Sequence, residues 1–78
     1  MANKKKYEEK EKLLNHLQKY RMWKGLRQCD LSAATKISIS TIREIERNNY
    51  TPKITLRIKL ADYFGIREKQ LFYRKDDD

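Results

Sequence analysis

Residues Gln28 to Arg47, QCDLSAATKISISTIREIER, read as two short helices joined by a tight turn, and the rest of the chain is organised around them. Leu31, Ala34 and Thr35 fall at i, i+3 and i+4, and Ile42, Ile45 and Glu46 repeat that spacing, so each half has one inward face. TKISIS lies between the two halves. Ser38 stands just ahead of the second apolar series, where its hydroxyl can accept from the free N–H groups of a first helical turn. Helices of about two turns are marginal alone in water, where roughly 12 to 15 residues are needed, so flanking segments must hold the pair.

The 78 residues make one small domain at most. Nineteen Lys and Arg against eleven Asp and Glu leave a net charge of +8, although three of the acids are the tail residues Asp76, Asp77 and Asp78. Such a balance points to a polyanionic partner, nucleic acid ahead of an anionic membrane surface. A single cysteine, Cys29, excludes an internal disulfide, and with the single His16 it leaves too few soft ligands for a structural zinc site. No metal and no cofactor is expected. The basic start has no apolar run behind it, and no stretch approaches the roughly 18 apolar residues of a membrane span, so the expected compartment is the cytoplasm.

Residues 1–12, MANKKKYEEKEK, read as a charged arm. Leu13, Leu17 and Tyr20 follow at helical spacing and Gly25 closes the segment, predicting a first helix from about Lys10 to Trp23. Arg21 lies about 40° from Leu17 on that helix, an unusual place for a guanidinium unless an acid meets it, and Glu46 is the evident partner. Trp23 is expected to pack against another helix and His16 to be solvated. NNYTPK, residues 48–53, has two Asn and the only Pro, and must be a turn. Ile54, Ile58, Ala61 and Phe64 then predict a fourth helix, stopped by Gly65, and Ile66, Leu71 and Phe72 a last helical turn before a tail over 73–78. No run alternates long enough to predict a strand in a sheet.

This layout resembles the phage Cro and lambda-type repressor family, the XRE-type regulators. Their pattern GLSQxxLAxxxGVSxSTIxxIERG runs without a gap against Gly25-Leu26-Arg27-Gln28-Cys29-Asp30-Leu31-Ser32, Ile37-Ser38-Ile39-Ser40-Thr41-Ile42 and Ile45-Glu46-Arg47-Asn48. It continues through Pro52 and Ile54 to Leu60-Ala61, Gly65-Ile66 and Leu71-Phe72, covering about residues 13–72. The resemblance implies an all-α, compact five-helix lambda-repressor-like domain with a helix-turn-helix. It also implies an internal pair of Arg21 with Glu46. The chain departs from the pattern at Lys36, where the family has Gly at positive φ, at Thr35, which replaces a larger apolar residue, and at Arg27, which replaces a capping Ser or Thr. Ile39 and Glu44 stand where polar or basic residues are common.

The implied function is a transcriptional regulator, in the repressor mode, that binds double-stranded DNA with the second short helix, residues 39–47, in the major groove. Ile39, Ser40, Thr41, Arg43 and Glu44 face outward and are the base-reading set. Arg43 suits guanine O6 and N7 or a phosphate, and Glu44 suits cytosine N4 or an ion pair orienting Arg43 or Arg47. By resemblance the Gln28 amide reaches a phosphate, and Arg47, Asn49, Tyr50 and Lys53 do the same. A two-fold operator calls for a homodimer, and Leu56, Leu60, Tyr63, Phe72 and Tyr73 are the expected contact.

An enzyme is not expected: paired carboxylates in an apolar setting, a Cys/His or Ser/His arrangement and a phosphate-cradling Gly loop are all missing from the pattern. The rival is a protein-interaction module of the same fold, antitoxin-like or coactivator. Arg43, Arg47 and Lys53 favour DNA, whereas Ile39 and Glu44 also suit a protein-facing helix.

Overall fold

The computed structural model describes residues 13–74, and the proposed charged arm over 1–12 lies outside them. The order is β1 (Leu14–Asn15), α1 (Leu17–Trp23), α2 (Gln28–Thr35), α3 (Ile39–Glu46), α4 (Ile54–Phe64), α5 (Glu68–Leu71) and β2 (Phe72–Tyr73). Leu17, Leu31, Ile37, Ile42, Ile45, Leu60, Ala61, Leu71 and Phe72 form the core, one or two side chains from each helix with Ile37 from the turn and Phe72 from β2.

The first helix begins at Leu17, later than its periodicity predicts, because Asn15 intervenes. Its Oδ1 accepts from the Leu17 N–H at 3.0 Å, while its Nδ2 donates to the Ile45 carbonyl at 2.8 Å and to Asn48 Oδ1 at 3.1 Å. The chain ahead of that clip is extended, and Leu14 and Asn15 pair antiparallel with Tyr73 and Phe72. The expectation of no strand is therefore corrected by a two-residue ladder, too short to leave an alternating pattern. Tyr73 belongs to that ladder and not to a tail. His16 is half-buried, stacked on the Tyr73 ring at 4.6 Å, and not solvated as expected. Trp23 is 69% exposed and, among the described residues, its ring meets the Tyr20 ring edge-on and the Lys19 ammonium at 4.9 Å, both on its own helix.

The α2–turn–α3 unit folds as its residues suggest, except that Ala34 is exposed. Thr35 is buried where the family prefers a larger apolar side chain, and its hydroxyl is satisfied by the Leu31 carbonyl at 2.8 Å. Lys36 follows with φ +62°, the left-handed geometry a glycine adopts without cost and a side chain at about 1 kcal/mol. Ser32 closes the turn by donating its hydroxyl to the Ile37 carbonyl.

Of the four apolar residues that predict α4, Ala61 and Phe64 face the core, but Ile54 and Ile58, expected on the same inward face, do not. Ile54 and Ile58 are 48% and 44% exposed, whereas Leu60 and Ala61 are buried, with Leu56, Tyr63 and Phe64 packed against the core. Two apolar series share this helix at the same spacing, so periodicity alone does not say which is buried. The ion pair of Arg57 Nε with Glu68 Oε2, at 2.7 Å, ties α4 to α5 in this orientation, and Arg57 Nη1 also donates to the Pro52 carbonyl at 2.6 Å.

Arg21 and Glu46 meet inside the fold. Arg21 Nε donates to Glu46 Oε2 at 2.7 Å and Nη2 to Oε1 at 3.1 Å, with side chains 11% and 5% exposed. Arg21 Nη1 donates further to the Leu26 carbonyl at 2.7 Å. Removing one partner of such a pair leaves the other charge desolvated and alone. Glu46→Ala is therefore expected to cost about 3 to 5 kcal/mol, a large part of the stability of so small a domain, and thermal melting checks it. A melting temperature within a degree or two of the parent contradicts the burial.

Candidate nucleic-acid interface

The interface is built on α3. Ser38 caps it, with Oγ accepting from the Thr41 N–H at 3.1 Å, and Ile42 and Ile45 are completely buried on its inner side. Those anchors fix the rotation of the helix, so Ser40, Arg43 and Arg47 are exposed on the opposite side. Ile39 is half-buried at the first turn. Thr41 is also half-buried, its hydroxyl accepting from the Ser38 hydroxyl at 2.8 Å.

Gln28, the first residue of α2, joins the outer surface to the interior. Its Nε2 donates to Glu46 Oε1 at 3.1 Å, and its Oε1 accepts from Arg43 Nε at 3.3 Å. Among the residues proposed for DNA contact, Gln28 and Arg43 thus touch each other. A second group forms at the end of α3: Asn49 Nδ2 donates to Glu44 Oε1 at 3.3 Å, and Arg47 Nη1 lies 3.8 Å from Glu44 Oε2. Both Arg47 and Glu44 are open to water, so this pair is worth little in stability. Its effect is to partner the carboxylate. Ser40, Thr41, Glu44 and Tyr50 line an open groove beside the helix. Lys53 is exposed at the start of α4, with its backbone carbonyl accepting from the N–H groups of Leu56 and Arg57.

The start of α2 has a compensation for its missing Ser or Thr cap. Arg27 offers no acceptor to the helix, but the Asp30 carboxylate accepts from the Arg27 backbone N–H at 2.9 Å, the return half of a capping box. The Arg27 guanidinium also donates to both Asp30 oxygens, at 3.0 and 3.1 Å. Among the described residues no cluster of His, Cys, Asp or Glu could hold a metal ion. Cys29 is a free, exposed thiol. No helix among the described residues is long and apolar enough to cross a membrane.

The family model described as helix-turn-helix matches residues 17–71, from the first turn of α1 to the end of α5. The chain belongs to the XRE-type helix-turn-helix family. It is also 36% identical, over 64 residues, to an uncharacterized HTH-type transcriptional regulator of Methanocaldococcus jannaschii, an alignment covering 82% of this chain and 97% of the relative. The helix-turn-helix family is one of DNA-binding transcriptional regulators, and that general function follows from membership.

In this helix-turn-helix chain the expected dimer set does not form one surface. Leu60 and Phe72 are in the core, Leu56 and Tyr63 pack against it, and Tyr73 is half-buried under His16. The apolar side chains that α4 leaves in water are Ile54 and Ile58. Three features escaped the sequence reading. The Asn15 clip joins positions 30 and 33 residues apart and has no spacing signal. The Arg57–Glu68 pair crosses between helices, and the Gln28 bridge depends on the angle between α2 and α3; neither leaves a local pattern.

The Arg27 side-chain hydrogen bond, followed by that of the Arg27 backbone N–H, holds the Asp30 carboxyl below the ordinary aspartate value. The carboxylate therefore supports the helix start fully above the ordinary carboxylate range, and this support is lost as pH falls through the lowered value. An NMR titration of the Asp30 carboxyl carbon is expected to show a midpoint below that of a free aspartate, and Arg27→Ala to raise it. A midpoint unmoved by Arg27→Ala refutes the assignment.

Proposed function

We propose that the chain is a sequence-specific repressor that sets α3 in the major groove of a two-fold DNA operator and binds as a homodimer. The observation that carries this reading is the rotation of α3: with Ile42 and Ile45 at zero exposure, Ser40, Arg43 and Arg47 project together from the other side. A groove about 12 Å wide admits such a helix, and the net charge of +8 favours the phosphates that flank it. Ile39, Ser40, Thr41, Arg43 and Glu44 are then the base-facing set, and Gln28, Arg47, Asn49, Tyr50 and Lys53 hold the backbone. The regulator acts by occupying its operator in the cytoplasm, as the phage repressors it resembles do.

Reading and positioning separate on two residues. Arg43→Ala is expected to lose about 1 to 3 kcal/mol on the preferred duplex and little on scrambled DNA, flattening preference at one base pair per half-site. Lys53→Ala is expected to weaken every sequence alike and to reduce the slope of log affinity against log salt by about 1 per subunit. Titrations at several salt concentrations, on duplexes selected from a random pool, decide it. Equal loss on both duplexes makes Arg43 a phosphate clamp and passes the reading to Ile39, Ser40 and Glu44 or to DNA shape. A parent that binds neither duplex at low salt ends the DNA reading in favour of a protein partner.

One module spans too little DNA for strong specificity, which is the reason for a dimer. Ile54 and Ile58, one turn apart and exposed, supply an apolar surface in place of the buried Leu60 and Phe72. Ile58→Asp is expected to give monomers of unchanged helix content that bind operator far more weakly, as seen by sedimentation and titration. A parent that stays monomeric at tens of micromolar, free and on DNA, refutes the dimer.

A further inference from the structure

We infer that Gln28 is a positioning residue for base recognition: it orients Arg43 from the buried Arg21–Glu46 pair, and so sets sequence preference without itself reading a base. The inference rests on the proposed reading of DNA by Arg43 and deepens it.

The chemistry at each end of the amide leaves one arrangement. Glu46 Oε1 and Oε2 already accept from Arg21, and an ionised carboxylate is an acceptor only. The end of Gln28 that faces Glu46 at 3.1 Å must therefore be its NH2 group. That forces the carbonyl end outward, toward Arg43, whose guanidinium has donors only. Arg43 Nε reaches it at 3.3 Å. The bond is long and exposed, yet it takes up the inner edge of the guanidinium, and both terminal amino groups are without a partner among the described residues. Those are groups that can meet guanine O6 and N7 side by side. Among the described residues the second N–H of the Gln28 amide has no partner in this arrangement and can still reach a phosphate.

An exposed arginine without such a contact samples many rotamers, and ordering it on DNA opposes binding. Gln28 removes part of that cost in advance. The cost saved counts only where Arg43 makes its two-point contact, so its loss appears as loss of preference at one base pair. A Gln28 that merely binds phosphate has a different signature. Its removal weakens all sequences alike and adds independently to the removal of Arg43.

The test is a double-mutant cycle with Gln28→Met, which keeps the length and bulk of the side chain and removes the amide, and Arg43→Ala. Each protein is titrated on the selected duplex and on one changed at the base pair that Arg43→Ala no longer distinguishes. Gln28→Met is expected to reduce that discrimination by about tenfold or somewhat less, and to reduce it no further once Arg43 is alanine. Melting temperatures measured alongside show whether the fold is kept. Equal weakening on both duplexes, additive with Arg43→Ala, makes Gln28 a phosphate contact and overturns the inference while the DNA reading stands. A parent that selects no sequence, or an Arg43→Ala variant that loses no base discrimination, overturns the reading and this inference with it. If Gln28→Met does not fold, the parent decides: in DNA-free protein an Arg43 Nε proton that exchanges more slowly than that of Arg47, whose Nε makes no such bond among the described residues, supports the contact, and equal exchange overturns it.

Discussion

The pairing of Arg21 with Glu46 is the constraint on which the arrangement of the helices depends. Burying two charges is costly, and only full hydrogen bonding on both sides makes the site tolerable. Arg21 meets that demand with Nε and Nη2 on Glu46 and Nη1 on the Leu26 carbonyl, and Glu46 receives a third donor from Gln28. Among the described residues, no buried side-chain nitrogen or oxygen lacks a partner. The four groups come from α1, the loop after it, α2 and α3. No one of these segments can shift without stranding a charge on another, so the ion pair fixes the angle at which α3 is presented. Apolar packing of Leu17, Leu31, Ile42 and Ile45 drives the collapse, but similar side chains could pack in several registers.

The same logic closes the ends of the domain. The small apolar core of the described residues offers little beyond the cost of ordering the chain. Directional polar ties do the locating. Asn15 holds the start of α1 to the last turn of α3, Thr51 Oγ1 accepts from the Leu13 N–H at 3.0 Å, and Arg57 links the Pro52 carbonyl to Glu68. The β1–β2 ladder then brings the two ends of the described chain together beside α1. The loop after α3 is held on both sides, through Asn48 at φ +63° and through Pro52, which is buried.

How far the fold was legible varies with the range of the forces involved. The α2–turn–α3 unit was readable because its signals are local: Ser38 caps within three residues, and Ile42 and Ile45 give one dominant face, although Lys36 takes the left-handed turn without the expected glycine. The partnership of Arg21 and Glu46 was readable because a charge beside an apolar stripe demands an answer. On α4 the equal spacing of Ile54–Ile58 and Leu56–Leu60 left two faces open, and tertiary contacts, the packing of Leu60 and Ala61 in the core and the Arg57–Glu68 pair, go with the one that is buried. Trp23 follows another rule. Its large apolar ring suggested burial, but α1 ends at that residue, and among the described residues its ring meets Tyr20 and Lys19 of its own helix.

Partnering within α3 also narrows what the proposed reading face can say. The Glu44 carboxylate is drawn toward Asn49 and Arg47, which takes it partly away from the base edges and lowers its repulsion of nearby phosphates. The Thr41 hydroxyl accepts from the Ser38 hydroxyl at the cap, so its first obligation is to the helix start. Arg43 alone of these polar side chains keeps free donors while tied, through Gln28, to a fixed point inside the domain. On this reading specificity is concentrated in one oriented guanidinium per subunit, with Ser40 and the half-buried Ile39 as its neighbours. A code that narrow gains its length from a second copy of the helix and from the shape of the DNA between the two half-sites.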